Sequence, residues 1–425
     1  MKALFRPFRS LGRYWPLLML LLMIALVLRQ DGPPPGEMET GIDRIIADVR
    51  FDFDGWEMRA VWSKLTFWLL QPQRYMHEVD RVAFVRDYVT RLADISALQD
   101  QIDTAYADPQ VTDPGAATAG QQRRLAGMRA QAAARQPLVE AIIEEQVATV
   151  LTQEGIGFLG QEYPPVGLRF TPLPYALIVS PRERIEPIYQ ATLEYGLDVA
   201  QREEIEARVD REFNVSSLAS EIGGLSAWPA MALEYPSLEW ITEVTAHEWS
   251  HYYMNLHPLG WEYDRSREAR TINETAAEIV GREAGRAVLA RYYPDLLPPP
   301  PSPADSGGSA PSSEPPAFDF RAEMHATRVE VDRLLAAGQV EEAEQYMEAR
   351  RRFFWEHGYR IRKLNQAYFA LHGSYADQPG AAGEDPIGPA VRELRQHSAN
   401  LGEFLARVSS VTTLSELQAL LARVP

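Results

Sequence analysis

The segment Val244-Thr245-Ala246-His247-Glu248-Trp249-Ser250-His251-Tyr252-Tyr253 constrains this chain more than any other. It carries the pattern His-Glu-x-x-His. On a helix, residues four apart share a face, so His247 and His251 stand one turn above the other. Two imidazoles placed in this way reach a single metal ion. The flanking residues Trp240, Ile241, Val244, Trp249, Tyr252 and Tyr253 predict a largely buried helix. Buried polar groups without partners cost roughly 1–3 kcal/mol each, and a metal removes that penalty for both histidines.

A catalytic zinc ion usually takes three protein ligands and keeps one position open. The segment Thr271-Ile272-Asn273-Glu274-Thr275-Ala276-Ala277-Glu278-Ile279-Val280-Gly281 offers candidates for the third. Glu274 and Glu278 are again four apart, on a helix whose other positions are mostly Ala, Ile and Val. Small residues at Ala276 and Ala277 let this helix approach the first closely. With these two segments the sequence resembles the gluzincins, the thermolysin-like zinc peptidases. The resemblance implies that His247, His251 and Glu274 hold Zn2+ and that Glu248 is the general base acting on water. It also implies that Glu278, at a position usually held by Asp, accepts a hydrogen bond from His247. Such a contact fixes the tautomer of the imidazole and raises its basicity. Asn273 belongs to the same Asn-Glu pair and supports the ligands from behind.

Gluzincins hold an extended peptide against an edge strand shortly before the metal helix. The resemblance places that strand at Leu225, Ser226, Ala227 and Trp228, after the paired glycines Gly223 and Gly224 and before Pro229. Read from the residues alone, the same stretch is equally a Gly-rich turn. Further along, Val280-Gly281-Arg282-Glu283-Ala284-Gly285 and Leu364-Asn365-Gln366-Ala367 running to Ser374-Tyr375 are similar to segments of predicted bacterial zinc aminopeptidases. That similarity implies that Asn365 and Tyr375 line the site. It makes Tyr375 or His372 the donor to the oxyanion, which needs a preorganised hydrogen bond.

The amino terminus bears on location. Lys2, Arg6, Arg9 and Arg13 precede an apolar run from Tyr14 to Leu28, with Arg29 and an acidic, Pro-rich stretch behind it. No small-x-small cleavage site follows. The pattern predicts an uncleaved signal anchor, a single helix with the positive flank in the cytoplasm and the rest of the chain outside; the alternative is a cleaved signal peptide, and both place the bulk of the chain across the membrane. Over 425 residues the formal net charge is -17, which argues against nucleic acid as a partner. The absence of cysteine excludes disulfides and thiolate zinc sites.

The remaining periodicity predicts a mainly α chain with a small β-sheet, of the α+β class, in which a zincin-like core carries the motif helix and the Glu-ligand helix. Residues 1–36 are the cytoplasmic stub, anchor and linker. Residues 37–155 are a helical region, serving as scaffold or lid, with a loop at Ala107–Gly120. Residues 156–296 are the catalytic region, with strands at Val166–Phe170, Tyr175–Val179 and Ile185–Leu193. Residues 297–318 are a Pro/Ser/Gly linker. Residues 319–425 are the helical end of the catalytic unit, including a long helix Glu341–Gln366. The expected activity is peptide-bond hydrolysis on a peptide or protein substrate at the outer membrane face. The alternative is a binding or scaffold protein stabilised by zinc in a closed site, for which His257 is the nearest fourth ligand. An intramembrane peptidase is excluded because the motif does not sit in a long apolar span.

Overall fold

Helices with one buried face make up most of the chain. The computed structural model describes residues 36–423 apart from 109, 158–161, 298–317, 376–379 and 384. The chain divides into two units, Met1–Ala47 and Asp48–Pro425. In the first, α1 (Glu37–Ile45) has Glu37 and Glu39 in its first turn and Arg44 in its last, as the helix dipole favours. The apolar run expected to anchor the chain, Tyr14–Leu28, lies outside the described residues. Among those described, no helix is long and apolar enough to cross a membrane.

The second unit opens with α2 (Phe53–Leu70), α3 (Glu78–Ala107) and α4 (Pro114–Gln153). The loop expected over Ala107–Gly120 is shorter than its composition suggested. Asp113 caps α4 by accepting from the Ala116 N–H, and Pro114 takes the first helical position, where a missing N–H costs nothing. Helix α4 is the scaffold of the unit. Its buried Val139, Ile142, Ile143, Val147 and Val150 share one core with the helices of the metal site. Glu140 accepts from the Phe170 N–H at 2.9 Å and Glu144 from the Leu168 N–H at 2.7 Å, which fixes the first strand. Lys64 of α2 lies 2.7 Å and 2.8 Å from these two carboxylates and compensates their buried charge.

Six short strands follow, β1 (Leu168–Phe170), β2 (Tyr175–Pro181), β3 (Tyr189–Leu193), β4 (Val215–Ser220), β5 (Gly224–Leu225) and β6 (Ala230–Ala232), with α5 (Val199–Phe213) between β3 and β4. They form two three-stranded sheets rather than one. One is antiparallel in the order β3-β2-β4; in the other, β6 pairs parallel with β1 and antiparallel with β5. Strand β4 has no counterpart in the sequence reading. Val-Ser-Ser-Leu-Ala-Ser carries little strand propensity, yet its backbone pairs fully with β2 and the Ala219 N–H donates to buried Glu206.

Next come α6 (Leu238–Met254), α7 (Pro258–Trp261) and α8 (Arg267–Tyr292), with Ser237 and Ser266 as side-chain caps of α6 and α8. Helices α6 and α8 pack backbone to backbone. A Cβ added at Gly281 would stand 2.9 Å from the Glu243 carbonyl oxygen and 2.9 Å from His247 Cβ; one at Gly285 would stand 2.9 Å from Glu243 Cα. The buried Ala276 and Ala277 continue the contact, as their size predicts, but the glycines make its closest part.

The chain ends in α9 (Phe320–Ala336), α10 (Val340–Glu356), α11 (Gln366–His372), α12 (Ile387–Gln396), α13 (Leu401–Val408) and α14 (Leu414–Leu421). The single helix expected over Glu341–Gln366 is broken. It stops at His357, and Gly358 follows at φ 90°, a left-handed conformation that ends helices. Helices α9 to α11 pack with β2 and β4, whereas α12 to α14 join the core of α6 and α8. The fold is thus mainly helical with two small sheets, an α+β chain.

The glycine contact generates a test. Gly281→Val forces a branched side chain into a closed helix crossing, for which the expected loss of stability is about 1–3 kcal/mol, read from urea unfolding. Gly120→Ala in α4 meets nothing within 4 Å and is expected to leave the midpoint unchanged or slightly raised. Equal midpoints for the two variants would contradict the packing described.

Candidate metal centre

Helix α6 presents His247 and His251 on one face, and α8 brings Glu274 opposite them. The two imidazoles approach through Nε2 at 3.1 Å, with their rings nearly perpendicular. Glu274 Oε2 lies 3.4 Å from His251 Nε2 and 3.8 Å from His247 Nε2. One ligand atom from each residue falls within 4.8 Å of the others, and among the described residues these three form the group able to hold a metal ion.

The fit to a cation rests on the atoms themselves. Glu274 Oε2 is buried and accepts no hydrogen bond, while both Nε2 atoms point at the same small volume. A tetrahedral ion with bonds of about 2.0–2.1 Å sets its ligands roughly 3.3 Å apart, close to the three separations here. Burial, with His251 alongside, pushes the His247 imidazole down to about 4, so it is neutral and offers a lone pair. Burial also opposes charge on His251, but the Glu274 carboxylate beside it prevails and lifts it to about 9. Glu274 is itself held down at about 2, the neighbouring His251 outweighing the effect of burial. This carboxylate demands a positive partner, and a cation at the same point meets that demand.

The residues behind the ligands differ in part from expectation. His251 Nδ1 donates to Asn273 Oδ1 at 2.6 Å, which aims Nε2 into the site. Glu278 is the residue expected to hold His247; the backbone of Ala277, one residue earlier on α8, also acts on that imidazole and favours its protonated form. The charge of Glu278 is felt by Tyr375. The other oxygen of Glu274, Oε1, accepts a hydrogen bond from the Tyr263 hydroxyl, which leaves Oε2 for the site. Tyr263 lies between α7 and α8, its ring centroid 6.0 Å from that of His251. No spacing or motif in the sequence marks it.

Glu248 is buried on the same turn and burial raises it to about 7. It faces β5, the edge of its sheet: a Cβ at Gly224 would stand 2.2 Å from Glu248 Oε1. The edge strand therefore exists but is shorter than, and one residue earlier than, Leu225–Trp228. Leu225 is in it. Ser226 turns back to α6, its hydroxyl donating to the Glu248 carbonyl at 3.2 Å. Ala227 and Trp228 lie in the bend before β6, and the Trp228 indole donates to the Pro165 carbonyl at 2.9 Å. That indole anchors the bend instead of reaching for a substrate.

Of the three residues expected from the C-terminal region, one reaches the site. The Tyr375 ring stacks on His247 with centroids 6.3 Å apart. Its hydroxyl is raised well above its usual range by the Glu274 charge and by burial, so it stays protonated as a donor. Asn365 is instead the cap of α11, accepting from the Tyr368 N–H and donating to the Ser217 carbonyl. His372 packs on Tyr368, ring centroids 4.3 Å apart, and burial lowers it to about 4. His257, weighed as a fourth ligand, starts α7 and packs edge-on against Tyr253 at 4.6 Å. No protein-family model matches the chain, and no curated protein or solved structure matches it.

Supporting contacts of this kind typically change metal affinity by about 10–100-fold. Asn273→Ala and Tyr263→Phe are each expected to weaken metal binding within that range, measured by competition with a chelating indicator. Unchanged affinity in both would remove these residues from the site's support.

Proposed function

We propose that this chain is a zinc metallopeptidase of the gluzincin type, hydrolysing peptide bonds of an extended polypeptide. The observation that carries the reading is the position of Glu248, buried between the His247–His251–Glu274 group and the free edge of β5. A substrate backbone pairing with β5 as an added strand would lie alongside that carboxylate.

His247, His251 and Glu274 would hold Zn2+, which would supply Lewis acidity to water and to the scissile carbonyl. Glu248 takes the proton of the attacking water and passes one to the leaving amine. Burial raises this carboxyl and so favours its taking a proton. The Tyr375 hydroxyl is the donor available to the developing oxyanion. Asn273, Tyr263 and the Ala277 backbone hold the ligands in register. The charge pattern before and after Tyr14–Leu28 supports an anchored protein with this site on the outer face of the membrane.

A zinc-stabilised scaffold would close the site with a fourth protein ligand. The described group has three members, and His257 faces Tyr253. This favours the catalytic reading.

Two variants separate metal binding from chemistry in the purified full-length chain. Glu248→Gln is expected to keep one metal ion per chain while hydrolysis of a mixed peptide library falls by about 10²–10⁴-fold. His247→Ala is expected to lose the ion, by elemental analysis. Normal turnover by the Gln variant, or no chelator-sensitive hydrolysis by the unaltered chain, would refute the peptidase reading.

A further inference from the structure

The geometry points to a second membrane contact, in which the outer face of α2 and the turn behind it seat on the lipid bilayer. This inference rests on the anchor part of the proposed function and not on its chemistry.

Helix α2 is apolar on two sides. Its inner side carries Ala60, Val61 and Lys64, all buried, the last bound to Glu140 and Glu144 of α4. Its outer side carries Met58, Trp62, Leu65 and Leu69, spaced four, three and four apart, a single stripe on a helix. Met58 is 75% exposed, Trp62 76% and Leu69 73%. The stripe runs about 16 Å along the axis. Gln71 turns the chain in a left-handed conformation, and beyond it Tyr75 and Val79 are also exposed, at 88% and 73%. Single exposed apolar side chains need no explanation, whereas a contiguous set of this size marks a contact surface.

The choice of occupant follows from shape, chemistry and covalent connection. A partner helix would cover a stripe and leave the residues beyond the turn free; a bilayer is broad enough to take both. Trp and Tyr are the side chains that favour the lipid–water boundary, and exposed Arg59 and Arg74 flank the patch with stems long enough to keep their charges in water. The same chain carries the apolar run Tyr14–Leu28 upstream of α2, so a bilayer that takes up this run is tethered to α2 by a short stretch of sequence. With a net charge of -17 the chain gains little from anionic headgroups, and the contact is through apolar insertion.

The lack of any native cysteine makes the test direct. Full-length protein with one introduced cysteine, Met58→Cys, Trp62→Cys or Leu69→Cys, is labelled with an environment-sensitive fluorophore and reconstituted into phosphatidylcholine liposomes containing spin-labelled lipid. Arg352→Cys on α10, whose side chain is 72% exposed, is the control. The expected result is blue-shifted emission, quenched by the spin-labelled lipid at the three α2 positions and not at 352. In the Met58→Cys protein, the added pair Trp62→Glu and Leu69→Glu is expected to abolish that quenching with the circular dichroism spectrum unchanged. Water-like emission at all four positions would overturn the proposal. So would protection that depends on protein concentration, which means a second copy, or protection that persists in detergent, which means a segment of the same chain. A full-length chain that does not associate with the liposomes would refute the anchor as well. A chain that associates but leaves α2 in water would refute the docking alone.

Discussion

The close crossing of α6 and α8 is the constraint on which the rest of the molecule depends. The helices run in opposite directions and meet turn by turn: Glu243 over Gly281 and Gly285, His247 over Ala277 and Gly281, His251 over Asn273. Where the contact is tightest only glycine fits. One turn on, alanine suffices, and a further turn on there is room for an amide and a carboxylate. A spacing of four on both helices keeps these pairs in phase. The candidate metal ligands are therefore the open end of a graded interface, and their separation is set by the glycine and alanine contacts behind them.

This arrangement places charge where burial penalises it. Two imidazoles and two carboxylates, Glu248 and Glu274, sit together on buried turns, and burial alone drives His247 and Glu248 toward neutrality. Glu274 resists, held ionised by its neighbours and by the Tyr263 hydroxyl. The two carboxylates thus have different environments: Glu274 is held charged, whereas burial raises Glu248. A divided pair of this kind supports the site proposed above. The Lys64–Glu140–Glu144 group shows the contrast, since there both carboxylates share the Lys64 ammonium, Arg169 stands 3.5 Å from Glu140, and the carboxylates accept from the backbone of β1.

Much of the site was legible because its chemistry is local in sequence. His247, Glu248 and His251 lie on one helix, where a spacing of four put both rings on one face, and the resemblance to the gluzincins pointed to Glu274 on α8. The helical character of the chain was readable for the same reason. What escaped was decided by contacts between distant segments or by the backbone. The Ala277 backbone acts on His247, and any residue could have supplied it. Strand β4 forms because β2 lies beside it, against a weak propensity of its own. Asn365 was expected near the site by its neighbourhood, but it is spent on capping α11, a role written in the same side-chain chemistry. Tyr263 had no motif, and only the approach of the loop after α7 brings its hydroxyl to Glu274. The loop over Ala107–Gly120 and the helix Glu341–Gln366 were misjudged where a single cap, Asp113, or a single turn, at Gly358, overrode composition.

The most direct measurement is X-ray absorption on the full-length protein loaded with zinc. The proposed function predicts one ion per chain whose nearest atoms are nitrogen and oxygen at about 2.0–2.1 Å, with the multiple-scattering pattern of two imidazoles that vanishes in His251→Ala. An ion bound without imidazole, or no stoichiometric ion at all, would mean that His247, His251 and Glu274 meet for packing and not for metal.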